Sequence, residues 1–155
     1  MPHSAYAGVA TRLAALTVDA VILTITVPAV VSGLPSLWAS LEGSAPGWLK
    51  ACSQIAGALV PVVYFTLSWW GTGQTPGGML FGTVVRRPDG SHLSLIRAAL
   101  RAFVGLLVPL VWLIGMVAAL WDPQRRALHD RLFGTVVRYK RRPVLDSVGT
   151  LTKAS

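Results

Sequence analysis

Residues 13–34 form a predominantly apolar run that contains a single ionisable side chain, Asp19. About 20 apolar residues suffice to cross the hydrocarbon core of a bilayer, so the run is long enough to span. Asp19 falls roughly two turns inside a helix that starts near Arg12. A carboxylate at that depth is costly unless it is paired, faces a cavity or carries a proton. The rest of the chain must therefore supply something that meets Asp19.

The composition agrees with a membrane setting. Of 155 residues, 53% are hydrophobic and 13% charged, and the mean hydropathy is +0.58, values of an integral membrane protein rather than a soluble domain. Fourteen Lys and Arg against six Asp and Glu give a net charge of +8. In a membrane protein that excess marks the cytoplasmic side and contact with anionic lipid headgroups, so no nucleic-acid partner is expected. Cys52, the sole cysteine, excludes an intrachain disulfide and reads as a small buried hydrophobe within an apolar segment. The first 12 residues lack the cationic start of a secretory signal, and the first helix is expected to be retained.

Taken in order, a first span is expected over residues 12–34, with Pro28 and Gly33 late in it and an end at the Pro35 turn. Residues 35–50 then read as a loop. Trp38 and Trp48 bracket it as interface residues, and its lack of excess Lys and Arg assigns it to the non-cytoplasmic side. A second span, residues 51–70, is interrupted by Pro61 and closes on Trp69 and Trp70; GTGQTPGG, residues 71–78, then cannot stay helical. Gly57 and Ala58 would permit close helix contact, or are the small residues common in any membrane helix.

The sequence LFGTVVR at residues 80–86 recurs letter for letter at 132–138. Both copies are β-branched and bounded by Gly and Arg, so each predicts a short strand. Two readings stand: coincidence of strand chemistry, or two strands paired at one membrane face with Pro88, Asp89 and Gly90 turning the first back to the bilayer. Between the copies lies a third apolar region, residues 93–121, with Arg97 and Arg101 one helical turn apart. A single crossing there would place one of two basic clusters outside, against the positive-inside rule. The charge map favours a re-entrant hairpin bent near Gly105 to Pro109, with a single third span as the alternative; 29 residues are too few for two full crossings. The expected fold is an all-α membrane protein with two transmembrane helices, this third apolar helical segment and two short cytoplasmic strands. Residues 1–142 form the membrane domain and residues 143–155 a C-terminal tail.

Arg12 and Asp19, seven residues apart, lie on nearly the same helix face about 10 Å apart along the axis. They share a stripe without necessarily touching, and the partner of Asp19 is expected among Arg12, Arg97 and Arg101. Asp130, beside His129 in RRALHDRLFGTVV, is the second acidic candidate, as a cap or an ion-pair partner that holds the second strand beneath the first helix. The polar cluster expected from the sequence is thus Arg12, Asp19, Arg97, Arg101 and Asp130. No two histidines stand at metal-ligand spacing, so no metal site is expected. No Ser/His/Asp order, Walker lysine or nucleotide fingerprint occurs either, and no catalytic residue, cofactor or enzymatic activity is expected.

These residues carry a resemblance. The RLAALTVDAVIL opening, the GQTPGG turn, the LFGTVVRRPDG strand and turn and the closing LHDRLFGTVV resemble the RDD family of small bacterial integral membrane proteins over residues 6–139. By position, Arg12, Asp19 and Asp130 match the arginine and two aspartates for which the family is named. Family members commonly have a lysine after the TPG element, where this chain has Gly78, so a cation's role at that point is not carried over. The resemblance implies a part in transport: some relatives are proposed cation/proton exchangers, and others are encoded beside multi-subunit lipid-transport systems. It implies residence in the bacterial cytoplasmic (inner) membrane as a multi-pass protein, with the charge map placing the N-terminus in the cytoplasm. Two functions follow as expectations: an accessory or scaffolding subunit of a larger membrane transport assembly, partnered by other membrane subunits or by copies of itself, or a homo-oligomeric exchanger that uses Asp19. Two or three spans rarely enclose a path alone, and Ala14, Ala15, Gly57 and Ala58 offer small faces for other helices.

Overall fold

The computed structural model describes residues 6–107, 115, 120–122 and 124–140. Its first element is a continuous helical rod. Helix α1 (Val9–Pro28) passes through a π-helical segment (Ala29–Gly33) into α2 (Leu34–Glu42). The expected end at Pro35 does not occur. Pro35 lies in the first turn of α2, directly after the π segment, where the widened turn relieves the clash of a proline ring with the preceding turn. The expected loop over residues 35–50 is correspondingly short, residues 43–46, opened by Gly43 at φ 83°. Trp38 and Trp48 pack edge to face on either side of it, ring centroids 6.1 Å apart.

Helix α3 (Gly47–Gly71) returns alongside the rod. The two pack most closely at Gly57, where a Cβ would lie 2.2 Å from Val31 Cγ2. This small residue serves an intrachain contact. Both the rod and α3 are long and apolar enough to cross a membrane. At a rise of 1.5 Å per residue, α3 alone measures about 37 Å, more than the hydrocarbon core requires. Their outward faces expose Val21, Ile25, Leu41, Ile55 and Leu59, an apolar surface that lipid solvates and water does not.

The chain next forms α4 (Pro76–Leu80) and β1 (Thr83–Arg86), turns at Pro88 to Gly90, and enters α5 (Leu95–Leu107). The last described elements are α6 (Leu128–Leu132) and β2 (Val136–Tyr139). The two copies of LFGTVVR do pair. The strands β1 and β2 are antiparallel, with Val85 opposite Val137, so the same position of each copy meets itself and a pseudo-two-fold axis runs between them. Neither outer edge is bare: the Val85 N–H donates to Gly73 O at 2.7 Å and the Ala7 N–H to Val137 O at 3.0 Å. Because Ala7 leads into α1 and Gly73 follows α3, the start of the rod and the end of α3 lie on the same side of the molecule, at the sheet.

Helix α5 is amphipathic in an unusual sense. Ala98, Arg101 and Ala102 are buried, whereas Ile96, Leu100, Phe103 and Leu107 are exposed at helical spacing. Its small inner face packs against α3, where Phe65 and Trp69 join Ala98, Ala102, Val85 and Val137 in the core. The helix is unbroken through Gly105 to Leu107. The remainder of the expected hairpin, and with it the choice between re-entry and a single crossing, lies outside the described residues. So does the expected C-terminal tail.

Candidate functional site

The repeat is longer in space than in sequence. Each copy is preceded by a five-residue helix, so residues 75–86 and 127–138 form matching units of helix, Phe-Gly turn and strand. Backbone bonds recur at equivalent positions: Met79 N to Thr75 O and Arg131 N to Ala127 O, Phe81 N to Gly77 O and Phe133 N to His129 O. The turn glycines Gly82 and Gly134 share a left-handed backbone, φ 64° and 58°.

Helix α1 touches both units, one through each charged residue of its stripe. Arg12 holds the second. Its Nη1 donates to Asp130 Oδ2 at 2.5 Å, its Nε to Ala7 O at 3.1 Å and its Nη2 to Arg125 O. Arg125 adopts φ 48°, a strained value for a non-glycine residue, and in that position it presents its carbonyl to Arg12. From α5, Arg101 Nη1 donates to Asp130 Oδ1 at 2.6 Å and to Thr135 Oγ1, and its guanidinium lies 4.8 Å from the Trp69 ring centroid. The Ala127 N–H and the Thr135 hydroxyl complete the shell of Asp130. Asp130 is fully buried. Burial alone would raise its pKa, but Arg101 and Arg12 overcome that and hold the carboxyl well below the usual range. His129 is buried beside them. Burial first, and the charge of Arg101 second, press its imidazole down to about 3, so it is neutral at pH 7. Its 3.7 Å approach to Asp130 is therefore a polar contact rather than an ion pair.

Asp19 meets the first unit differently. Its Oδ1 accepts from the Tyr64 hydroxyl at 2.8 Å and from the Gly77 N–H at 2.8 Å. The approach is so close that a Cβ at Gly77 would lie 2.0 Å from Ala15 O, so only glycine fits. The expectation that Asp19 pairs with Arg12, Arg97 or Arg101 is not met. Arg12 and Arg101 are both committed to Asp130, which lies at their level, while Asp19 sits about 10 Å further along α1. Arg97 is exposed, its guanidinium near Gly134 and without an ion pair to either aspartate of the site. Among the described residues no ion pair reaches Asp19.

Two groups were not anticipated. Tyr64, a hydroxyl three residues after Pro61 in an apolar span, is a signal that the sequence offered. Asp122, buried, accepts from the Arg126 N–H at 2.8 Å, Arg126 Nε at 3.0 Å and Arg131 Nη2 at 2.9 Å. The side-chain bond from Arg126 chiefly holds its pKa down to about 2. Its spacing of four before Arg126 was legible.

A cavity of about 230 Å³ lies between α1, α3, α5 and the strands. Arg12, Asp19, Gly78, Arg101 and His129 line it, but most of its wall is apolar, from Leu16, Phe65, Trp69 and Leu106 among others. Among the described residues no group of three His, Cys, Asp or Glu could hold a metal ion. The arrangement sets two guanidiniums and a carboxyl group in an apolar chamber, which suits binding and orientation of a ligand.

Two membrane-length apolar helices tied to a small strand platform by buried arginine and aspartate define a small helical membrane protein. The chain belongs to the RDD family, whose model matches residues 6–134. No curated protein and no solved structure matches it.

Proposed function

We propose that this RDD protein is an accessory or scaffolding subunit of a larger membrane transport assembly, one that handles lipid among its candidate cargoes. The observation that carries this reading is the closure of the Arg12–Asp130–Arg101 cluster. Three of the four buried charges at the site are consumed in fastening α1, α5 and the second strand unit to one another, so they act as structural ties. Only two described helices have membrane-spanning length, and a path through the bilayer needs helices from other chains. In this reading the protein is not an enzyme. It lies in the bacterial inner membrane with the strand platform and the N-terminus in the cytoplasm, because Arg86, Arg87, Arg138 and Lys140 cluster at the sheet. Anionic headgroups contact that basic face. Photo-crosslinking from Leu37 and Ile55, both outward facing, in native membranes is expected to yield a defined hetero-oligomer. Recovery of crosslinks only between copies of this chain would overturn the reading.

A second reading is a homo-oligomeric cation/proton exchanger with Asp19 as carrier carboxylate. It is favoured by one observation, that Asp19 is buried beside a cavity with no ion-pair partner among the described residues. Purified wild type in vesicles then conducts pH-gradient-driven flux that Asp19→Asn abolishes, whereas the accessory reading expects no flux from either.

A further inference from the structure

The two repeat units place the same backbone against the same helix but resolve the charge differently. In the second unit the third residue of the short helix is Asp130, whose carboxylate answers Arg12 of α1. The equivalent residue of the first unit is Gly78, which has no side chain, and it is the neighbouring Gly77 that meets α1, at Ala15 and Asp19; among the described residues Asp19 receives a hydroxyl and a backbone N–H and no cation. Gly78 and Asp19 both line the cavity. Among the described residues no cation answers Asp19, and the space next to it is that cavity.

The other end of the same cavity lacks an acceptor. Arg101 lines it and is 3% exposed, and its Nε has no hydrogen-bond partner among the described residues. A buried guanidinium N–H without an acceptor is costly. Arg12, Arg101, Asp19 and Asp130 together sum to zero charge, with His129 neutral. A ligand with net charge would upset that balance inside a low-dielectric site, whereas one carrying both signs would answer both ends. Most of the surrounding wall is apolar, with Gln74, Thr75 and Thr83 as further polar side chains, and it suits the carbon skeleton of an organic cation.

We propose that the cavity binds a zwitterion, its ammonium group seated on Asp19 in the space beside Gly78 and its phosphate or carboxylate directed at Arg101. Two sources carry this chemistry: the ethanolamine headgroup of a membrane phospholipid, and a free soluble zwitterion. Both donate N–H groups to a carboxylate and accept from a guanidinium.

The test uses the purified full chain in detergent micelles, titrated with short-chain phosphatidylethanolamine, short-chain phosphatidylglycerol and free phosphoethanolamine. Tryptophan fluorescence reports occupancy, since Trp69 lines the cavity, and the thermal midpoint reports stabilisation. Phosphatidylethanolamine or phosphoethanolamine is expected to bind, with affinity lowered at least about tenfold by Asp19→Asn, as loss of a charged hydrogen bond predicts. Gly78→Lys places an ammonium in the same space and is expected to abolish binding while raising the midpoint of the unliganded protein. A Cβ there lies 3.1 and 3.2 Å from the Thr75 and Thr83 hydroxyls and 3.5 Å from Thr83 O, so the two hydroxyls must give by a few tenths of an ångström. If Gly78→Lys does not fold, the near-isosteric Asp19→Asn still decides. Binding of the lipid alone identifies a headgroup site that also needs acyl chains; binding of both, or of phosphoethanolamine alone, identifies a site for the zwitterion itself. Failure of both to bind, phosphatidylglycerol binding as tightly, or an unchanged affinity in Asp19→Asn overturns the proposal. The measurement needs no partner chain, so its failure leaves the accessory-subunit reading to the crosslinking test.

Discussion

The units at residues 75–86 and 127–138 share a backbone, a strand register and a contact with α1, yet one is fastened by charge and the other by close approach. The second unit is locked by Asp130 between two arginines. The first is seated through Gly77, whose missing side chain lets the backbone reach Ala15 and Asp19. Asp130 is answered by two guanidiniums, whereas Asp19 is met by a hydroxyl and a backbone N–H. The difference separates a structural anchor from the group proposed to bind.

The largest effect should come from exchanging carboxylates for amides in the two units. Asp130→Asn strands two buried guanidiniums and is expected to cost about 3–5 kcal/mol, read from equilibrium unfolding in mixed micelles. Asp19→Asn keeps an oxygen that accepts from Tyr64 and Gly77, and a loss of about 1 kcal/mol is expected. Equal losses would erase the distinction between anchor and binding group. Next, Gly77→Ala should destabilise by about 1–3 kcal/mol through overpacking against α1. A neutral result in the same assay would mean that the first unit is not held by close approach.

The two units also differ in acid. A depressed pKa means that the native state binds fewer protons than the unfolded chain, so stability falls as pH falls. His129, pressed down to about 3, contributes fully above about pH 6.5, and that contribution is lost progressively as pH drops from there towards about 3. Asp130, held below the carboxylate range, adds a second loss below about pH 4. Unfolding midpoints measured against pH should therefore fall in two stages, and His129→Gln should remove the upper one. A variant that keeps the upper stage would assign it to another group. The smallest effect is expected one helical turn from the cluster: Arg97→Ala should change stability by less than about 0.5 kcal/mol, against a large loss for Arg101→Ala. A comparable loss at Arg97 would show that the cluster extends beyond the residues that touch Asp130.

Much of the architecture was legible because hydrophobic length and turn chemistry are local properties. The run over residues 13–34, the GTGQTPGG breaker and the two LFGTVVR strands each declare themselves within a few residues. Pro35 misled because the consequence of a proline depends on the turn before it, and a π segment removed the clash. Arg97 and Arg101 looked interchangeable for the same reason. Four residues on a helix leave two side chains on one face about 6 Å apart along the axis, and which of the two lies level with Asp130 is decided by packing, not by composition.

The sequence by itself determined that the chain enters a membrane, that it carries a costly aspartate there, and that two identical segments flank the third apolar region. Tertiary structure alone decided the partners. Asp130 took both arginines because strand pairing set it at the level of Arg12 and Arg101. Asp19 was left to Tyr64 and Gly77 because it lies about two turns along α1 from Arg12, where the backbone of the first unit comes against the helix at Gly77. Charge complementarity acts over a few ångströms in a low-dielectric interior, so pairing follows from which backbones are brought together and not from which charges the chain contains.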